Sequence, residues 1–305
     1  MRLASVRHDG ALSPALLHDD AAYLVEDLFH VSAGRSCPVT TGGAAAIITA
    51  GRQLVAEVAR LADRLPLLAE RGDLTPYPPG LLAAPVPRPP KIICVGRNYA
   101  EHAREVGNAV PERPILFSKF ATAVVGPYDD IVRPREVRDL DYEAELCVVI
   151  GTGGRHIPRD RALEHVAGYC CANDVSARSA QLFSGDQWLR GKSFDTFCPI
   201  GPAITTRDDV RDPQALRITC RVDGEVRQDD TTANMVFDVA TLIGYCSEAF
   251  TLEPGDILLT GTPAGVAIGR QPPPWLEPGQ LCEVEVETVG RMANRITDDA
   301  TLSPG

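Results

Sequence analysis

A dense run of prolines divides this sequence into two unequal parts. Seven prolines lie between Pro76 and Pro90. Each proline fixes its backbone φ angle and lacks an N–H donor, so the stretch is unsuited to a helix or a central strand and favours an extended, stiff connector. We therefore predict a linker over residues 76–90, with a small domain at 1–75 and a larger one at 91–305.

Composition and charge narrow the class of partner. Hydrophobic residues make up 44% of the 305 residues, and the formal net charge is -11. A surface this negative repels phosphate backbones and acidic lipids, so we expect small molecules as partners, with no nucleic acid and no membrane. The nine cysteines form no Cys-x-x-Cys pair, and the chain start lacks the apolar region of a signal peptide. These features predict a cytoplasmic protein.

Signals for β-strands dominate the larger part of the chain. Residues 1–25 predict a small β meander, and apolar spacing over 43–65 predicts one amphipathic helix. After the linker, apolar and polar alternation predicts strands such as 140–150 and 281–289, with a buried helix over 236–250. The fold class predicted from these patterns is α+β, mainly β.

Two glutamates project from one face of a predicted strand. Side chains alternate along a strand, so Glu143 and Glu145 point the same way, about 7 Å apart along the backbone. Carboxylates this close repel each other unless a cation neutralises them, and hard ions such as Mg²⁺ or Mn²⁺ prefer oxygen ligands. An isolated Glu-x-Glu is, however, more often a solvated strand face with Lys or Arg partners.

A third carboxylate follows the apolar segment 168–172. Asp174 lies where that segment turns polar, which is the end of a strand on our interpretation. As a third ligand it would leave positions of an octahedral ion open for water and two substrate oxygens. Aspartate is also a favoured helix N-cap, so spacing alone leaves both roles open.

His102 and Glu105 lie three residues apart in the predicted helix 98–106, within hydrogen-bonding reach on one face. A glutamate that holds one imidazole nitrogen orients the other as a base, which is how such a pair activates water. An ordinary surface pair on a helix has the same spacing.

Two polar stretches, 190–202 and 260–265, interrupt apolar surroundings. Lys192 in the first could stabilise an enolate or a carboxylate, and Thr262 in the second could bind a carboxylate together with nearby amides. A salt-bridged lysine and a plain glycine-proline turn are the structural alternatives.

In order and spacing, these segments resemble the fumarylacetoacetate hydrolase family from residue 91 to residue 289. The resemblance is carried by residues 95–99 with His102 and Glu105, then by 141–146, 173–178, 192–195 and 260–266. It implies a mixed β-sandwich roll, a small N-terminal α/β accessory domain like that of longer bacterial members, one Mg²⁺ or Mn²⁺ per subunit, and a homodimer.

The resemblance also implies roles for individual residues. Glu143, Glu145 and Asp174 would bind the metal. His102 with Glu105 would activate water, and Lys192 would stabilise developing negative charge. The positions that match substrate-pocket residues of relatives are Arg97, Tyr99, Arg178, Gln181 and Thr262.

These expectations favour hydrolysis of a carbon–carbon bond in a 2,4-dioxo acid, such as an acylpyruvate. The acid would chelate the metal, His102 would activate water against the 4-carbonyl, and the metal and Lys192 would stabilise the departing enolate. The same site also fits decarboxylation of an oxaloacetate-type acid or isomerisation of a 2-hydroxyhepta-2,4-diene-1,7-dioate. A non-catalytic metal- or ligand-binding protein is the alternative outside the enzymes, and the His102–Glu105 pair argues against it.

Overall fold

The computed structural model describes residues 1–182 and 187–299. The strands of the first half are β1 (Arg2–His8), β2 (Ala11–His18), β3 (Ala21–Leu24), β4 (Leu82–Ala83), β5 (Ile92–Gly96), β6 (Ile115–Ser118), β7 (Val124–Val125), β8 (Ile131–Arg133), β9 (Leu140–Asp141) and β10 (Ala144–Ile150). The remaining strands are β11 (Val166–Asn173), β12 (Ser176–Ala177), β13 (Cys198–Thr206), β14 (Arg217–Val222), β15 (Glu225–Thr231), β16 (Ile257–Leu259), β17 (Leu281–Val286) and β18 (Gly290–Asp298). The α-helices are α1 (Val25–Ala33), α2 (Gly43–Thr49), α3 (Arg52–Ala62), α4 (Leu65–Glu70), α5 (Ala100–Glu105), α6 (Arg178–Leu182), α7 (Leu189–Lys192) and α8 (Val239–Ala249).

One large mixed sheet runs through the molecule. Its order is β3-β2-β1-β13-β11-β10-β16-β5-β6, with β4 paired to β1 and β7 paired to β13. A second sheet, β15-β14-β17-β18-β8, packs against β10, β11 and β13. The short strands β9 and β12 form a separate pair. The predicted α+β, mainly β class is confirmed.

Strand β10 lies at the centre of the large sheet, between β11 and β16. Every residue of β10 is buried, because the run after Glu145 is apolar on both faces of the strand. Glu145 is the charged residue within this strand and only 1% exposed. A carboxylate in such a place needs hydrogen bonds and a compensating charge.

The predicted β meander at the N-terminus is confirmed as β1, β2 and β3. Strand β1 also pairs with β13, with Leu3 opposite Ile204, so the first strands extend the same sheet as the rest of the chain. Within the proline-rich segment, β4 pairs with β1 through Ala83 and Ser5. The division into domains at this segment stays a prediction.

The prediction of one helix over 43–65 is wrong. Helix α2 ends at Thr49 and α3 begins at Arg52. Between them, Gly51 has a φ of 103°, which a residue with a side chain rarely adopts, so the backbone changes direction there. Apolar spacing alone missed the break because it continues on both sides of the glycine.

Helix α8 matches the predicted buried helix closely. The side chain of Asp238 accepts a hydrogen bond from the Thr241 N–H and caps its first turn. Val239, Leu242, Ile243 and Cys246 are buried along one side. Among the helices in the described ranges, none is both long enough and apolar enough to cross a membrane.

Close backbone packing between β11 and β13 predicts a stability effect. A Cβ at Gly168 would lie 2.2 Å from the Thr205 carbonyl oxygen, so Gly168→Ala must push the two strands apart. We expect a loss of about 1–3 kcal/mol in the free energy of unfolding, measured with urea. Gly80→Ala is the control, because its Cβ would meet no atom within 4 Å. Equal stability of both variants would contradict this packing argument.

Candidate active site

Three carboxylates meet where β10 begins and β11 ends. Glu143 precedes β10, Glu145 is its second residue, and Asp174 follows β11 directly. The two strands are antiparallel, and the Asp174 N–H donates to the Glu143 carbonyl at 2.9 Å. One oxygen from each side chain lies within 4.8 Å of the others, and all three residues are buried. The structure therefore brings together the residues that the sequence suggests as metal ligands, while that role stays a prediction.

Buried cations surround two of these carboxylates. Lys192 Nζ lies 2.8 Å from both Glu143 Oε2 and Asp174 Oδ2. Lys119 donates to the other oxygen of Asp174. Arg178 contacts Glu143 Oε1 at 2.6 Å. Burial opposes the charged form of Lys192, but Asp174 and Glu143 outweigh it and raise the pKa of the ammonium group.

Glu143 and Glu145 differ in their electrostatic surroundings. Burial acts to raise the pKa of Glu143, but Lys192 and Arg178 outweigh it and hold that pKa well below its ordinary value. Burial, followed by the charges of Asp174 and Glu143, raises the pKa of Glu145 well above its ordinary value. Within the described residues, Glu145 forms no ion pair and accepts a hydrogen bond from the Gly261 N–H at 2.7 Å. Without a metal, Glu145 therefore holds a proton more tightly than an exposed glutamate does.

The donor set fits a hard divalent cation. All three candidate ligands are carboxylates, and Mg²⁺ and Mn²⁺ prefer oxygen donors over nitrogen or sulfur. The carboxylate without a cation partner, Glu145, is the one whose ionised form such an ion would stabilise. The chemistry of the residues present thus agrees with the predicted divalent metal.

A cavity of about 250 Å³ opens beside the carboxylates. Of the residues predicted from the sequence, those that line it are Arg97, His102, Glu105, Glu143, Glu145, Arg178, Gln181, Lys192 and Thr262. Tyr99 does not line the cavity; its side chain is buried, and its hydroxyl has no hydrogen-bond partner among the described residues. Burial raises the pKa of the Tyr99 hydroxyl well above its ordinary value.

The expected hydrogen bond between His102 and Glu105 is not formed. His102 Nδ1 lies 3.6 Å from Glu105 Oε2, too far for a hydrogen bond, and has no other partner in the described part of the chain. Both Glu105 oxygens instead accept from the Gly265 N–H, at 2.9 and 3.0 Å. The turn after Thr262 therefore fixes Glu105, and the pair shares a helix face without direct bonding.

Three residues that support the site lie outside the predicted set: Lys119, which donates to Asp174, and Asp141 and Gln228. Asp141 accepts from Arg178 Nε at 2.8 Å and from the N–H groups of Ala267 and Ile268. Asp141, Glu143 and Glu145 alternate along the chain, so a wider view of the Glu-x-Glu pattern could have found the first of them. Gln228 accepts from the Ala144 N–H and donates to Thr262 Oγ1, and no local sequence pattern marks it.

Comparison with known proteins agrees with this arrangement. A family model described as "Fumarylacetoacetate (FAA) hydrolase C-terminal" matches residues 91–297. The chain therefore belongs to the fumarylacetoacetate hydrolase family. It is 51% identical over 237 residues to "Oxaloacetate tautomerase FAHD2A, mitochondrial" from Bos taurus, covering 77% of this chain and 73% of that protein.

Two solved structures of family members are similar over nearly the whole chain. The fumarylacetoacetate hydrolase of Exiguobacterium antarcticum is 34% identical, with a TM-score of 0.75, and covers 98% of this chain and 100% of that one. The maleylpyruvate hydrolase of Sphingobium sp. SYK-6 is 30% identical, with a TM-score of 0.76 and the same coverage. The predicted family and its fold are thus confirmed.

The contrast between the two glutamates predicts opposite effects on the metal-free protein. Glu143→Gln removes the carboxylate that Lys192 and Arg178 share, so we expect the free energy of unfolding to fall by roughly 3 kcal/mol. Glu145→Gln replaces a carboxyl group whose raised pKa opposes folding above pH 4.5 with a neutral amide, so we expect the free energy of unfolding at pH 6 to rise rather than fall. Urea unfolding in the presence of a chelator measures both values. Equal destabilisation by the two substitutions would contradict the difference in pairing.

The raised pKa of Glu145 also gives a pH dependence. The folded state holds a proton that the unfolded chain releases above its ordinary pKa of 4.5, so this group lowers the stability of the metal-free protein as the pH rises beyond that value. Glu145→Gln should remove this contribution, which urea unfolding from pH 5 to pH 8 measures.

Both variants, Glu143→Gln and Glu145→Gln, should bind Mn²⁺ more weakly than the parent by calorimetry. Binding of Mn²⁺ by either variant as tightly as by the parent would refute that variant's residue as a ligand.

Proposed function

We propose that this chain interconverts the keto and enol forms of an oxaloacetate-type 2-oxo acid, using a divalent metal ion. The observation that carries the proposal is the 51% identity to a protein named oxaloacetate tautomerase. The buried carboxylates beside a small polar cavity support it, because such a site suits a small anionic substrate. This proposal replaces carbon–carbon bond hydrolysis as the preferred function.

Glu143, Glu145 and Asp174 would hold one Mg²⁺ or Mn²⁺, which supplies positive charge that acidifies a C–H bond next to a ketone. Lys192 lies between Glu143 and Asp174, lines the cavity, and can donate a hydrogen bond to a ketone oxygen as negative charge develops there. Arg178 keeps Glu143 ionised by pairing with it. These side chains stabilise the enolate form relative to solution.

His102 is the candidate base. Tautomerisation moves one proton from the carbon beside the ketone to the ketone oxygen and requires no other reactant. The imidazole of His102 lines the cavity, and its Nδ1 has no hydrogen-bond partner among the described residues. It can therefore accept the proton from carbon and return it to oxygen. While His102 holds the proton, its ring is a positively charged imidazolium. The negative Glu105 carboxylate, 3.6 Å away, stabilises that charge.

Hydrolysis of a 2,4-dioxo acid is the second candidate. His102 and Glu105 line the same cavity as the carboxylates, which is what water activation near a metal requires, and the structurally similar maleylpyruvate hydrolase is named for such a reaction. That neighbour is 30% identical, compared with 51% for the tautomerase. Glu105 is also hydrogen-bonded to Gly265, which weakens its orientation of His102 for attack by water. We therefore rank hydrolysis second.

Product-resolved assays with the metal-loaded protein test the function. We expect fast loss of the oxaloacetate enol absorbance, with the keto acid as the product and no carbon–carbon cleavage. His102→Gln should lower kcat by about 100-fold or more, because it removes the proton carrier. His30→Gln is the control, since that ring lies on the surface beside Ser36 and Glu26.

Other outcomes distinguish the alternatives. Cleavage of acylpyruvates that depends on His102, without enol conversion, would favour the hydrolase. Release of CO₂ from oxaloacetate as the main reaction would favour the decarboxylase, and conversion of a hydroxy-diene-dioate would favour the isomerase. Full activity of His102→Gln in enol conversion would refute the role given to this residue.

The remaining properties are proposed from the sequence. We expect a homodimer and a cytoplasmic protein. The name of the bovine relative places that protein in the mitochondrion.

A further inference from the structure

A column of cations and aromatic rings forms one wall of the cavity. Lys192 Nζ lies 5.1 Å from the ring centre of Phe117. Phe117 packs edge to face against Trp188, with 5.4 Å between the ring centres. Arg97 Cζ lies over the Trp188 ring at 5.4 Å. All four residues line the cavity, so the wall leads from the carboxylates at Lys192 to Arg97.

Arg97 differs from the other cations near the site. Lys119, Lys192 and Arg178 each contact at least one carboxylate. The Arg97 guanidinium has no hydrogen bond or ion pair with any residue in the described ranges. Its backbone adopts a φ of 55°, uncommon for a residue with a side chain, where the chain passes from β5 to α5. Arg97 is thus a half-buried positive charge at the cavity, and no anion of residues 1–182 or 187–299 neutralises it.

The indole of Trp188 fixes the position of Arg97. A Cβ at residue 96 would lie 2.5 Å from Trp188 Cζ3, so the ring packs where it does because residue 96 is glycine. Phe117 supports the indole from another side. A guanidinium that stacks on a ring uses its face for that contact, which leaves the N–H groups at its edge free to bind a carboxylate through two parallel hydrogen bonds.

We propose that Arg97, positioned by Trp188, binds a second carboxylate of the substrate and makes the enzyme selective for dicarboxylic 2-oxo acids. The inference rests on the proposed function, in which the 2-oxo acid end of the substrate lies at Glu143, Glu145 and Asp174. At that end the protein cations are already paired with protein carboxylates. A second substrate carboxylate therefore needs its own partner, and Arg97 offers one on the same cavity wall.

Two unreactive ligands of equal carbon-chain length test the proposal by calorimetry on the Mn²⁺-loaded protein. L-malate and (S)-2-hydroxybutanoate share a hydroxy acid end, but the second has a methyl group in place of the distal carboxylate. We expect the parent to bind L-malate at least about tenfold more tightly, as a charge-assisted bidentate contact provides. Arg97→Met should remove this preference and leave the affinity for (S)-2-hydroxybutanoate within about twofold of the parent.

Two further variants test the roles of Arg97 and Trp188. Arg104→Met is the control, because Arg104 lies nearby in α5 but is exposed and paired with Glu101. It should keep the preference. Trp188→Leu should lower the affinity for L-malate more than that for (S)-2-hydroxybutanoate, since the indole positions Arg97. An equal loss for both ligands would contradict the positioning role of Trp188.

The outcome separates this proposal from the proposed function. Neither ligand has a ketone, so binding does not depend on turnover. If the parent shows no preference for L-malate, or if Arg97→Met retains it, the carboxylate site is refuted even when enol conversion is fast. If the preference is present and depends on Arg97 while enol conversion is absent, the carboxylate site stands and the proposed reaction is wrong.

Discussion

The burial of four carboxylates beside one small cavity is the constraint on which the rest of the site depends. Asp141, Glu143, Glu145 and Asp174 are each no more than 5% exposed. A buried carboxylate without a partner costs several kcal/mol, so each needs a cation or a set of donors. Lys119, Lys192 and Arg178 satisfy three of the four, and Glu145 relies on a backbone N–H. The one unbalanced position is therefore where a metal ion has most to stabilise.

The scaffold brings these cations together from separate segments. Arg178 begins α6 and Lys192 ends α7, yet both reach Glu143. Their approach depends on Gly191, because a Cβ there would lie 2.4 Å from the Gln181 backbone nitrogen. Helices α6 and α7 consequently touch at backbone distance, and the two positive groups meet on one carboxylate. Close packing at a glycine thus determines the electrostatics of the site.

The sequence predicted the carboxylates better than it predicted their partners. Alternation along a strand is a local property, so Glu143 and Glu145 could be placed on one face, and Asp174 at the end of the next strand. The partners depend on contacts between distant segments. Glu105 is hydrogen-bonded to Gly265, 160 residues away, which explains why the expected bond to His102 is missing. Gln228 supports Ala144 from 84 residues away, and no local pattern could indicate that. The same limit applies to the fold, where apolar periodicity predicted the strands and α8 but not the break between α2 and α3.

The balance of charge also bears on the kind of substrate. The carboxylates of Asp141, Glu143 and Asp174 and the cations of Lys119, Lys192 and Arg178 cancel, so Glu145 decides the net charge of this buried cluster. When Glu145 is protonated, these seven side chains carry no net charge. When Glu145 is ionised beside a divalent cation, the side chains and the ion together carry one positive charge, which attracts a single carboxylate. A second negative charge on the substrate would then be unbalanced at that end. Arg97, stacked on Trp188 and without a protein anion in the described part of the chain, supplies the missing charge at the other end of the wall. A dicarboxylic acid is therefore a substrate whose two carboxylates each meet a positive group, one at the metal end of the wall and one at Arg97.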